Sequence, residues 1–132
     1  DNITYVGWVS PSQLDDFYAK ADVLVMPSRW EGFAMVPLEA MSRGVPVLAS
    51  NIPALTEIVD NHVNGRLFPM DDAAQLARAL LETPASDWAN MGGAAKRLVS
   101  AEFTAMIMST ATLDVYRSLT RAAPRASERG VI

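Results

Sequence analysis

The spacing of apolar and polar positions changes repeatedly along this chain, and each change marks a structural element. Ile3-Thr4-Tyr5-Val6 is a short β-prone run that stops at Gly7. Ser10-Pro11-Ser12-Gln13 then opens a helix, with Ser10 as N-cap, Pro11 in the first turn and Gln13 as capping-box partner. Leu14, Phe17, Tyr18 and Ala21 follow at helical spacing and predict one buried stripe. Val23-Leu24-Val25-Met26 is an unalternated apolar run ending at Pro27-Ser28, the pattern of a central parallel strand covered on both faces.

A loop over Arg29 to Phe33 leads into a helix predicted for Val36 to Arg43 and closed by Gly44. Val45 to Ala49 reads as the next buried strand, Ile52 to Asp60 holds a short helix, and Asn61 to Gly65 forms a turn before a strand at Arg66-Leu67-Phe68. Helices are predicted for Asp72 to Glu82, Asp87 to Ser100 and Phe103 to Thr120; Ala73, Leu76, Ala77, Leu80 and Leu81 give the first an apolar face. Residues 121–132 are small, polar and interrupted by Pro124, a composition that predicts a flexible tail after a domain at 1–120. Alternating strands and helices require right-handed crossovers in a parallel sheet, hence an α/β, Rossmann-like three-layer domain. Four short strands are few for such a domain, so further strands are expected upstream.

Composition narrows the function. With 132 residues, half of them apolar, the chain matches one ordinary globular domain. No apolar run approaches the roughly 20 residues of a bilayer span, and no transmembrane helix or signal peptide is expected. The absence of cysteine excludes disulfides and thiolate metal sites, and suits a cytoplasmic location. A single histidine leaves little scope for a His-based triad or metal site, and a net charge of −4 argues against nucleic acid as main partner.

In open α/β sheets ligands bind beyond the carboxyl ends of the strands, here the loops after Val6, Met26 and Ala49. The loop after Met26 places Glu31 and Gly32 just before a helix N-terminus. Free backbone N–H groups there favour a phosphate, and glycine allows a ligand to approach the backbone. A carboxylate beside a phosphate would repel it unless turned towards hydroxyl groups, such as those of a sugar or ribose.

The string Pro-Ser-x-x-Glu-Gly-Phe-x-x-x-x-Leu-Glu-Ala-Met-x-x-Gly-x-Pro-Val, from Pro27 to Val47, closely resembles the signature of family 4 retaining glycosyltransferases of the GT-B fold. Gly7, Ala21-Asp22 and Asn64-Gly65 extend the resemblance over about residues 2 to 120. It implies the C-terminal, nucleotide-sugar-binding half of such an enzyme, N-terminally truncated. It further implies that Glu31 is the catalytic-site acid that orients the donor sugar, and that amides at Gly32, Phe33, Ala34 and Met35 meet the sugar and diphosphate. Glu39 would accept hydrogen bonds from the ribose, and Val9 would meet the base through its backbone. The donor would be a UDP- or GDP-hexose and the acceptor a hydroxyl of a polysaccharide or glycolipid. No metal or other cofactor is implied.

This sequence departs from the family pattern at Ala34, a glycine in most members, and at Asn51-Ile52-Pro53-Ala54, where a glycine pair is common. The family's phosphate-binding arginine and lysine, and its acceptor domain, are expected upstream of residue 1, and the fragment alone is expected to be inactive. Neither Arg29 nor Arg43 is assumed to replace those basic residues. Blander roles remain open. Glu31 suits a solvated loop acid, Glu39 a first-turn helix acid, Trp8 and Trp30 local packing, His62 an exposed turn, and Met106 to Met108 helix packing. Arg117, Arg121, Arg125 and Arg129 recur every four residues and suit either a solvated tail or peripheral membrane contact. The competing functions are a non-catalytic scaffold, motivated by Pro53-Ala54, and a nucleotide-sugar epimerase.

Overall fold

The computed structural model of the chain describes residues 2–122, with side chains through residue 120. Three parallel strands form its sheet: β1 (Leu24–Met26), β2 (Val47–Ser50) and β3 (Gly65–Phe68), in the order β1-β2-β3. Helix α1 (Pro11–Tyr18) precedes β1, α2 (Met35–Ser42) and α3 (Pro53–Thr56) make the two crossovers, and α4 (Ala73–Glu82), α5 (Ala85–Glu102) and α6 (Ala105–Ala122) follow β3.

Register explains the two-sided core. Val47 and Ala49 of β2 point to one face, where Leu38 and Met41 of α2, Leu55 of α3, and Ala95 and Val99 of α5 cover them. Leu48 points to the other face, with Phe68, Ala79 of α4, and Trp88 and Met91 of α5. Every residue of β2 is buried, as its continuous apolar run requires. Helices on both faces of a parallel sheet make the expected α/β, Rossmann-like arrangement.

Two glycines are fixed by close approach. A Cβ added at Gly92 of α5 would lie 2.1 Å from the Gly44 carbonyl, and one at Gly65 would lie 2.4 Å from that of Val47. Gly44 also ends α2 at φ +83°, the left-handed conformation glycine adopts most readily. Asn64 ties the turn before β3: its Oδ1 accepts from the Asp60 N–H at 2.8 Å and its Nδ2 donates to the Ile58 carbonyl at 3.0 Å.

Several expectations are corrected. Ile3 to Val6 is not a strand; no strand among the described residues lies beside it, and Ile3 and Tyr5 are exposed. A lone extended segment has no ladder to satisfy its peptide groups and leaves them to water. Nor is β1 central. It pairs with β2 alone, and its three residues are only half-buried. The α1 stripe is not buried either, because no layer covers that helix and none of its residues falls in the core. In α4 it is Leu76 and Ala79 that face inward, whereas Leu81 is exposed.

The expectation about membrane-spanning length also changes. Ala85–Thr120 contains one window long and apolar enough to cross a membrane by composition, and only 6 % of it is buried. Non-helical backbone at Phe103 (φ −117°, ψ 43°) divides that stretch into α5 and α6. The described residues of α6 are exposed throughout. The predicted tail, 121–132, lies outside the described residues apart from the helical backbone of its first two, and so do Arg125 and Arg129.

Candidate functional site

Strand β1 delivers its chain to the carboxyl edge of the sheet, and Pro27 stops it there, since proline cannot donate to a ladder. The loop that follows is braced by its own polar side chains. The Ser28 hydroxyl donates to Glu31 Oε1 at 2.7 Å, holding the half-buried carboxylate. Arg29 reaches Asp71, in the loop after β3, through a 2.7 Å ion pair that raises the Arg29 pKa. Arg29 is thus tied to the β3 loop through its Nε, while its side chain remains largely exposed.

The junction between this loop and α2 has a distinct hydrogen-bond state. The Met35 N–H donates to the Phe33 carbonyl at 2.9 Å, in a tight turn at the helix start. Pro37 has no N–H. Among the described residues the N–H groups of Gly32, Phe33, Ala34 and Val36 have no protein partner. Four peptide donors at the positive end of a helix make a setting suited to an anion. Gly32 does not have positive φ, and the nearest atom to a Cβ built there is Trp30 Cη2 at 3.8 Å. Neither backbone strain nor crowding within the chain demands glycine at that position; a Cβ there would only come into ordinary van der Waals contact with the exposed Trp30 ring.

Glu39 stands one turn further along α2 and is half-buried. Its carboxylate is sensed by Tyr18 of α1, whose pKa is raised first by burial and then by the Glu39 charge, with Arg43 acting the other way. Phe33, Met35, Leu38 and Glu39 form one wall of a groove of about 550 Å³, faced by Phe103 and Met108 at the α5–α6 corner. That groove brings Phe33, Met35 and Glu39 together. Glu31, Gly32, Ala34 and Val9 are not in its lining.

Ala34, the N-cap of α2, is buried at 4 % exposure and packs in the core under the helix start. Val9 is half-buried immediately before the α1 N-cap, Ser10, whose N–H is accepted by Gln13 Oε1 at 3.2 Å. Trp8 and Trp30 are 85 % and 82 % exposed, so neither makes the local packing expected of it. His62 is exposed in its turn and adopts φ 65°. Sequence reasoning missed Ser28 as the partner of Glu31, the free Val36 amide, and Tyr18 beside Glu39. For Ser28 a signal existed: a hydroxyl three residues before an acid is within local hydrogen-bond reach.

Among the described residues no group of three or more His, Asp or Glu could hold a metal ion. A second cleft of about 570 Å³, lined by His62, Arg66, Thr83, Asp87 and Arg97, lies at the start of β3. That is the opposite end of the sheet from the strand carboxyl ends, where ligands of such folds bind.

A parallel sheet with helices on both faces, a loop acid and unpaired amides at a helix start at its carboxyl edge define a Rossmann-like α/β domain with an anion-compatible edge. The sequence profile of the family described as "Glycosyl transferases group 1" matches residues 1–92, and the chain belongs to that family. The lipopolysaccharide core biosynthesis mannosyltransferase LpsB of Rhizobium meliloti is 34% identical over 127 residues, 92% of this chain and 35% of the relative. Among solved structures, sucrose-phosphate synthase from Thermosynechococcus elongatus superposes with a TM-score of 0.81 at 32% identity, covering 91% of this chain and 31% of that one. HepE of Anabaena, in complex with UDP-glucose, gives a TM-score of 0.70 at 25% identity over 77% of this chain and 29% of that one. This chain thus spans about a third of the length of the curated relatives it matches.

Proposed function

We propose that this chain forms the donor-binding half of a retaining hexosyltransferase that passes a sugar from a nucleoside diphosphate to an acceptor hydroxyl. The observation that carries the reading is the set of amides at Gly32, Phe33, Ala34 and Val36 without a protein partner among the described residues, at a glycine that neither strain nor crowding requires. Those donors suit the diphosphate and the sugar, and they stabilise negative charge as it grows on the leaving group. Glu31, steadied by Ser28, would accept hydrogen bonds from the donor sugar and orient its anomeric carbon. Glu39 would take the ribose hydroxyls, and the Val9 main chain would meet the base. Support comes from family membership and from relatives whose names describe mannosyl transfer and a UDP-glucose complex.

In this reading the leaving diphosphate is stabilised without a divalent metal, so transfer in excess EDTA should match transfer without it. The acceptor, a polysaccharide or glycolipid hydroxyl, would be presented by other parts of the protein.

Titration of the full-length protein with UDP, GDP and ADP tests the proposal. One of them should bind, and Glu39→Ala should weaken that binding; no binding of any of the three rejects the reading. Pro53 occupies the first turn of α3, an ordinary place for proline; unchanged transfer in full-length Glu31→Gln would favour the scaffold alternative. Sugar inversion or release with no acceptor present would favour the epimerase alternative.

A further inference from the structure

Helix α1 has no buried residue, yet it carries the chain out of the loop that holds Val9. Its tie to the body is concentrated on one side chain. From the C-terminal end of α2, Arg43 meets Asp15 Oδ1 through both Nε and Nη2 at 2.6 Å. Its guanidinium carbon lies 5.0 Å from the centre of the Tyr18 ring, a cation–π contact. The third nitrogen, Nη1, donates to the Glu39 carbonyl at 3.0 Å. Arg43–Asp15 is, among the described residues, the one ion pair joining α1 to the rest of the chain.

We propose that Arg43 is a positioning residue of the nucleotide site, clamping α1 and the Val9 loop against the stretch of α2 that carries Glu39. The proposal rests on the donor-binding reading above and assigns Arg43 no contact with the nucleotide. An eight-residue helix is a stiff rod of about 12 Å, so holding Asp15 and Tyr18 also fixes where Ser10 and Val9 stand. The base wall and the ribose acid lie on different elements. They keep one separation only if those elements are joined, and Arg43 joins them.

Arg43 also caps α2, and that role alone must be separated from the clamp. Ser42 supplies the control: its hydroxyl donates to the same Glu39 carbonyl at 2.7 Å without reaching α1.

The test uses full-length protein and whichever of UDP, GDP and ADP the wild type binds most tightly. Arg43→Ala should raise the Kd for that nucleotide, and the donor KM, about three- to tenfold, the range of a partly exposed charged contact. The kcat should change less than about twofold, because the clamp places the nucleotide and does not touch the reacting atoms. Asp15→Asn should move affinity in the same direction, Arg43→Lys should recover part of the loss, and Ser42→Ala should leave Kd unchanged. Wild-type affinity in Arg43→Ala overturns the clamp, as does an equal loss of affinity in Ser42→Ala, which would make capping of α2 the whole effect. If the wild type binds none of the three nucleotides, the donor-binding reading fails and this one falls with it.

Discussion

The Ser28 hydroxyl and the Glu31 carboxylate form a 2.7 Å hydrogen bond within a single loop. That bond gives the acid at the tip a fixed direction before any ligand arrives, and such preorganisation lowers the cost of binding.

Glu31→Gln keeps the shape and removes the charge. Transfer by the full-length protein should fall by at least about a hundredfold, the scale of losing a group that acts on the reacting centre, with the melting temperature unchanged. Ser28→Ala leaves the charge but releases it, so a smaller loss is expected, roughly three- to tenfold for one charge-assisted hydrogen bond. Steady-state assays of both variants check the order; equal losses would contradict it.

Gly32→Ala separates folding from binding. A methyl group there meets no atom of the chain closer than 3.8 Å, so stability should stay within about 0.5 kcal/mol of wild type. Nucleotide-sugar affinity should nonetheless drop, because the methyl occupies the space a ligand needs. Denaturant melts and calorimetric titration on the same preparation give both quantities.

Gly92→Ala should do the reverse. Helix propensity favours alanine by about 1 kcal/mol, but the new methyl would sit 2.1 Å from the Gly44 carbonyl. Backbone on both sides cannot yield without shifting α5 against the β2 approach, so the clash wins. Net destabilisation of about 1–3 kcal/mol is expected, read from the urea midpoint.

Tyr18 predicts an alkaline effect. Its folded-state pKa is raised, chiefly by burial and next by Glu39. A group with a raised folded pKa contributes stability that is fully present below its unfolded value and is lost as pH rises through the folded one. Melting temperature should therefore fall from about pH 9 upward, around the ordinary tyrosine range, and Tyr18→Phe should flatten that limb. Indistinguishable limbs in the two proteins would remove Tyr18 as the cause.

Local pattern revealed the elements whose partners are also present in this chain. The β2 run and Gly65-Arg66-Leu67-Phe68 are strands in the structure because each has a neighbour to complete its ladder. Asp72 at the start of α4 was readable from its type, and its side chain accepts from the Gln75 N–H at 2.9 Å. Ile3 to Val6 and the α1 stripe have no such neighbour among the described residues. Their periodicity describes surfaces made to be covered, whereas coverage is a property of the neighbours. The site was legible as a string from Glu31 to Glu39, because loop, glycine and helix start are local. The bond states of individual amides were not: the Met35 N–H is turned onto Phe33 while the Val36 N–H is left free, a matter of backbone torsion that residue identity does not encode.

Strand β1 is hydrogen-bonded on one side only. Its other rim presents a row of peptide donors and acceptors spaced to receive a further strand, and nothing in Leu24-Val25-Met26 carries a charge that would repel one. When this stretch is produced by itself, that rim becomes adhesive: copies can template one another, and light scattering should climb with protein concentration. A short synthetic β-strand offered in excess should quench the rise by occupying the rim first. Colloidal behaviour thereby becomes a direct gauge of how accessible that rim is.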